Sequence, residues 1–116
     1  FSYNSGREAA LKLLSLKGRP DAIFAGNDQM AIGAMQQAQQ MGLGIPQDLL
    51  VVGYDNDSAA SLVSPPLTTL ARPNEEMAEA AAHRLLARLN GSSLETAPGN
   101  RFLPELIERE STARSN

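Results

Sequence analysis

The 116-residue sequence contains no cysteine and no tryptophan, and only one histidine. Without cysteine there is no disulfide, no thiolate zinc site and no cysteine nucleophile, so redox chemistry of the chain's own is excluded. With His83 as the single imidazole, a nitrogen–sulfur metal centre or a nucleophile–histidine pair has little to be built from. His83 itself reads as a solvated residue beside Arg84 on the polar side of a helix. Long apolar runs are also missing, and nothing reads as a membrane span or a secretory signal. Basic charge is scarce: 10 Lys and Arg against 13 Asp and Glu give a net charge of −3, which argues against a stand-alone nucleic-acid binder. An initiator methionine is lacking too, and a chain that opens at Phe1 reads as a piece of a longer protein.

What is present suits a folded chain, since 42% of the residues are hydrophobic and 20% charged. The length bounds it to one domain or part of one. Ala and Leu number 17 and 16 while Val and Ile together number 7, so helices should outweigh strands. Ser5-Gly6-Arg7-Glu8 has the pattern of a capping box opening a first helix, with Ala10, Leu13 and Leu14 on its buried face. Gly18 and Pro20 end it, and Ala22-Ile23-Phe24-Ala25 follows as a short strand buried on both sides. Asn27 or Asp28 caps a second helix with a stripe of Ala31, Ala34, Met35 and Ala38, stopped at Gly42. Gly42-Leu43-Gly44 follows a helix and lacks a third glycine, so it is no dinucleotide fingerprint.

A second strand is expected over Leu49 to Gly53, a short helix from about Ser58 to Val63, and a third strand over Leu67 to Leu70. Pro73-Asn74 opens the longest helix, which runs to about Asn90. Its apolar face is Ala78, Ala81, Ala82, Leu85 and Leu89; its acids come early and its arginines late, the order the helix dipole favours. Residues 92–100 are turn-like, a last strand is expected around Leu106-Ile107, and the polar end reads as a frayed tail. Short strands alternating with helices imply an α/β fold: a parallel sheet covered by helices on both faces, Rossmann-like.

In such sheets ligands bind at the carboxyl ends of the strands. Those ends here carry Gly26-Asn27-Asp28, Tyr54-Asp55-Asn56-Asp57 and Thr69 to Arg72, a set of donors and acceptors suited to a hydroxyl-rich molecule. The same residue types are also favoured as plain caps and turns, and that reading stands beside the first. A strand followed by Asp55-Asn56-Asp57 has the look of the start of haloacid-dehalogenase-type phosphatases, with Asp55 as nucleophile and Asp57 as acid/base. Ala59 stands where that pattern has Thr or Val, and no downstream lysine and acidic pair are evident. A calcium loop counted from Asp55 fails at Ala60 and Pro66, where glycine and glutamate are expected.

Several blocks together resemble the LacI/GalR (lac-repressor) family of bacterial transcription regulators. They are Ser5-Gly6-Arg7-Glu8-Ala9-Ala10, the run from Asp21 through Asn27-Asp28 to Ala34, Ile45-Pro46-Gln47-Asp48, Val51-Val52-Gly53-Tyr54-Asp55-Asn56, Pro65-Pro66-Leu67-Thr68-Thr69 and the closing Arg109-Glu110-Ser111-Thr112. The resemblance is to the C-terminal part of the effector-binding, periplasmic-binding-protein-like domain. It implies a non-enzymatic, cytoplasmic repressor that needs no cofactor and binds a sugar or related metabolite, which alters the operator affinity of a helix-turn-helix segment outside this sequence. A transport-type periplasmic sugar-binding protein is the alternative.

By the same resemblance, residues 1–72 belong to the C-terminal lobe, 73–103 return to the N-terminal lobe, and 104–116 are the closing segment and tail. The effector-binding positions match Phe1, Asn27, Asp55 and Arg72. Ala71 stands where the family often has Arg, and the guanidinium of Arg72 favours an anionic ligand or a pairing with Asp55. A homodimer contact matches Ile32, Leu62 and Val63, although these residues also suit the core of their own chain. The helix from Asn74 to Asn90 would lack its usual partner, so it is expected to rearrange, to pack on a second copy, or to belong to a longer protein.

Overall fold

The computed structural model describes residues 1–91 and 101–114. Two compact units emerge, Phe1–Ala71 with Leu106–Asn116, and Arg72–Glu105. The first unit begins with helices α1 (Tyr3–Leu14) and α2 (Asp28–Gln40) and strands β1 (Ala22–Phe24), β2 (Leu50–Tyr54) and β3 (Thr68–Ala71). With β4 (Glu105–Ile107) the strands form one sheet in the order β1-β2-β3-β4. The first three are parallel, with Ile23 opposite Val51 and Gly53 opposite Thr69. The parallel α/β expectation therefore holds, with each strand within a residue of its expected place.

The core lies where α2 meets β2. Ala31, Ala34, Met35 and Ala38 are buried in one cluster with Leu49, Val51 and Leu67. Small residues on α2 let the helix sit close to the sheet, and glycines do the same between helices. A Cβ at Gly6 would run into the backbone of Met30, and one at Gly33 into the carbonyl of Tyr3. The α1–α2 crossing is thus in backbone contact, which no larger residue permits at either point.

Four expectations are corrected. The cap of α1 is Ser2, not Ser5: the Ser5 N–H donates to Ser2 Oγ at 3.1 Å and the Ser2 N–H to Ser5 Oγ at 3.0 Å. Ser5 takes the reaching-back role assigned to Glu8, so the helix starts one turn earlier. β1 is not buried on both sides: Ala22 and Phe24 share one face and are exposed, Phe24 to 64%, while Ile23 on the other face is half-buried. The short helix is a 3₁₀ turn over Ser58–Ser61, ending before Leu62 and Val63. The described part of the expected frayed tail is held in place at Ser111, which is fully buried, donating to the Val51 carbonyl at 2.6 Å and accepting from the Thr68 N–H at 2.8 Å. The turn-like stretch 92–100 lies outside the described residues.

The second unit is carried by α3 (Asn74–Leu89), with Glu75 and Glu76 in its first turn and Arg88 in its last. None of its residues is buried, and Leu85, Leu86 and Leu89 are exposed. Of the three outcomes expected for this helix, burial of its stripe within the chain is not seen among the described residues. Its Ala, Leu, Glu and Arg content favours a helix whether or not the apolar stripe is covered.

Candidate effector site

The first polar strand end follows β1. Asn27 is the N-cap of α2: its Oδ1 accepts the Met30 N–H at 2.9 Å, and its Nδ2 donates to the Phe1 carbonyl at 3.2 Å. The cap reading of Asn27 is therefore correct as far as it goes, and the side chain also ties down the start of the chain. The Phe1 ring lies over Gly26, with Cε1 3.0 Å from where a Cβ of that glycine would stand. The ring is otherwise 89% exposed, so an aromatic face stands open beside Asn27.

Asp28 is not a cap. It is fully buried, its Oδ2 accepting the Asp57 N–H at 2.7 Å and its Oδ1 accepting the Thr69 hydroxyl at 2.6 Å. Both carboxylate oxygens are thereby satisfied by donors from the ends of β2 and β3, as burial of such a group requires. Gly53 makes the space: a Cβ there would strike Asp28 Oδ1 and come within 3.0 Å of Leu67 Cδ2. Asp28 thus joins the strand ends on which the other candidates sit.

The second polar end is the turn after β2. Asp55 has φ 116° and Asn56 φ 56°, two successive non-glycine residues with positive φ. Such a turn persists only where its surroundings hold it. The Asp55 N–H donates to the Leu70 carbonyl at 2.8 Å, and the Asn56 N–H donates to Thr69 Oγ1 at 3.3 Å. The Asp55 side chain is half-buried at this turn.

The first unit therefore brings Phe1 and Asn27 together and links them, through Asp28, to the turn that carries Asp55. Arg72 belongs to the second unit and is exposed, its carbonyl accepting the Asn74 N–H at 2.8 Å. Sequence reasoning placed Asp28 and Thr69 among the polar strand ends but missed that they bond each other and hold the turn at Asp57. The available signal for Asp28 was a glycine on an otherwise apolar strand just before a polar turn, which marks close approach by another group.

Two of the three expected dimer residues, Ile32 and Val63, line a groove of about 280 Å³ together with Met35, Gln36, Gln39 and Ser64. Ile32 and Val63 are half-buried and pack on the core cluster, whereas Leu62 is 82% exposed. Among the described residues no group of three or more His, Cys, Asp or Glu is placed to hold a metal ion. No helix among them is long and apolar enough to cross a membrane.

Residues 2–112 match the family model described as the periplasmic binding protein-like domain. The HTH-type transcriptional repressor PurR of Erwinia tasmaniensis is 43% identical over 113 residues, covering 97% of this chain and 33% of that protein. The ribose operon repressor of Escherichia coli K12 is 41% identical over 111 residues, covering 96% of this chain and 33% of that protein. This chain spans about a third of the length of these relatives. Among solved structures, the complex of the transcriptional regulator CelR with cellobiose matches with a TM-score of 0.83 and 35% identity, over 96% of this chain and 34% of that one. The lac repressor dimer bound to operator and the anti-inducer ONPF matches with a TM-score of 0.83 and 34% identity, over 97% of this chain and 34% of that one. With the family model spanning nearly the whole sequence, the chain belongs to the periplasmic binding protein-like domain family, and it corresponds to the C-terminal part of LacI-family regulators.

Proposed function

We propose that this chain is the effector-sensing and dimerising part of a LacI-type transcriptional regulator, and that it is not an enzyme. The observation that carries the reading is the held turn at Asp55, joined through Asp28 to the Phe1–Asn27 corner at the ends of parallel strands. A carboxylate, an amide and an open aromatic face at one crevice suit a sugar, whose hydroxyls donate and accept while its C–H face stacks. The ribose operon repressor and the cellobiose complex of CelR are similar proteins whose names point the same way.

In this reading Phe1, Asn27, Asp55 and Arg72 contact the effector, and Arg72 extends the ligand class to sugar acids and other anionic derivatives. Residues 1–72 supply one lobe, 73–103 return to the other, and 104–116 close the first. Ile32, Leu62 and Val63 form a homodimer contact, and operator DNA is bound by a helix-turn-helix segment outside this chain. The protein acts in the cytoplasm, where its operator is. Repressor names among the relatives favour this over a transport protein.

The test is a calorimetric titration of the protein with D-ribose, cellobiose and D-gluconate. One of them should bind, and Asp55→Ala should weaken that binding at least about tenfold, the effect of removing a charged hydrogen-bond partner. No binding by any of the three, or full affinity in the variant, counts against the reading. Magnesium-dependent phosphatase activity lost in Asp55→Asn would replace it with the enzyme reading.

A further inference from the structure

The turn that carries Asp55 is gripped from three sides, and one grip comes from far along the chain. The N–H groups of Asn56 and Asp57 are taken by Thr69 Oγ1 and by Asp28 Oδ2. The Asn56 side chain is taken by Arg109, whose Nη2 donates to Asn56 Oδ1 at 2.9 Å while Nη1 donates to the Leu67 carbonyl at 2.9 Å. Arg109 is itself bolted in place. Its backbone N–H donates to Thr68 Oγ1 at 2.8 Å, and its carbonyl accepts from the same hydroxyl at 3.0 Å. Two residues on, buried Ser111 bridges β2 and β3 through the Val51 carbonyl and the Thr68 N–H.

We infer that Arg109 is a positioning residue for the effector site: its guanidinium holds Asn56 in the left-handed conformation and so sets the direction of the neighbouring Asp55. The inference rests on the reading of Asp55 as an effector contact. The planar fork has one arm fixed on the Leu67 carbonyl at the start of β3, so the position of the other arm is fixed as well. Asn56 and Asp55 share a peptide bond and both have positive φ, so rotation of one displaces the other. The closing segment is thus more than an edge of the sheet. It is the outer jaw of a clamp whose inner jaw is Asp28 with Thr69, and the turn with Asp55 lies between the jaws. A ligand that pulls on Asp55 also loads Arg109.

Amide hydrogen exchange followed by NMR tests this without a ligand, and D-ribose titration tests its consequence. Lys at 109 keeps the charge but has one ammonium, which cannot reach both the Leu67 carbonyl and Asn56 in fork geometry. Arg109→Lys should speed exchange at Asn56 and Asp57 about tenfold while Val51 and Val52 in β2 change less than about twofold. Asn56→Asp, which leaves Arg109 an acceptor, should keep the protection. Asn56→Gly should lose it, and adding Arg109→Lys to Asn56→Gly should have no further effect. The D-ribose dissociation constant should rise about tenfold in Arg109→Lys.

Unchanged exchange at Asn56 and Asp57 in Arg109→Lys overturns the inference. So does an equal acceleration at Val51 and Val52, which would mark Arg109 as a general stabiliser. If Arg109→Lys does not fold, the contrast between Asn56→Asp and Asn56→Gly decides. A wild-type protein that ignores D-ribose counts against D-ribose as effector, and the exchange comparison still decides the positioning role.

Discussion

The closing segment 109–114 and helix α3 reverse what their compositions suggest. The polar segment places Ser111 in the interior with no exposed surface, and the amphipathic helix, with its Ala and Leu stripe, buries nothing. The difference is a matter of partners. The hydroxyls that Ser111 and Thr68 bring inside meet donors and acceptors at hydrogen-bond distance, which offsets the cost of burying them. Among the described residues, Leu85, Leu86 and Leu89 of α3 are exposed, and the hydrophobic effect rewards only area that is covered. Burial follows complementarity, and composition merely sets which complement is needed.

The comparison is broken most directly at Ser111. Ser111→Ala leaves the Val51 carbonyl and the Thr68 N–H buried without their partner, and should cost about 2–4 kcal/mol in urea denaturation. A change below about 0.5 kcal/mol would falsify the claim that the segment is held by these bonds. Thr112→Val keeps the shape and removes the hydroxyl that meets Thr68 Oγ1 at 2.7 Å; it should cost about 1 kcal/mol by the same measurement. The smallest effect belongs to α3. Leu89→Ser, at a position 73% exposed, should shift the stability of this chain by less than about 0.5 kcal/mol. A larger loss, growing with protein concentration in analytical ultracentrifugation, would show instead that a second copy covers the stripe.

The same contrast explains what could be read from the sequence. Features held by neighbours in the chain were legible. The Asn27 cap reaches Met30 three residues on, and the Ala31–Ala34–Met35–Ala38 stripe needs only the helical period. The α1 capping box was legible in kind and misplaced by one turn, because a Ser at the third helical position closes it as well as Glu does. Strand positions were legible because their apolar runs stand between turn residues. The roles of Ser111, Arg109 and Asp28 were not, because their partners lie 60, 53 and 41 residues away and only the fold brings them together. In the candidate site, Asn27 and Asp55 were named from the strand-end pattern and Phe1 from the family resemblance, whereas the bonds that shape the turn came only with the structure.

Gly53 has a consequence for how such a sequence can change over generations. Its missing side chain and the carboxylate of Asp28 occupy one volume, and a Cβ there would also press on Leu67 Cδ2 at 3.0 Å and Ala31 Cβ at 3.3 Å. A mutation to alanine at 53 meets the carboxylate first, so it is tolerated only in a lineage that has already shortened residue 28. Shortening residue 28 first strands the Asp57 amide and the Thr69 hydroxyl. Either step taken alone disturbs the same buried corner, so the two positions are coupled: a change at one is best accommodated by a change at the other.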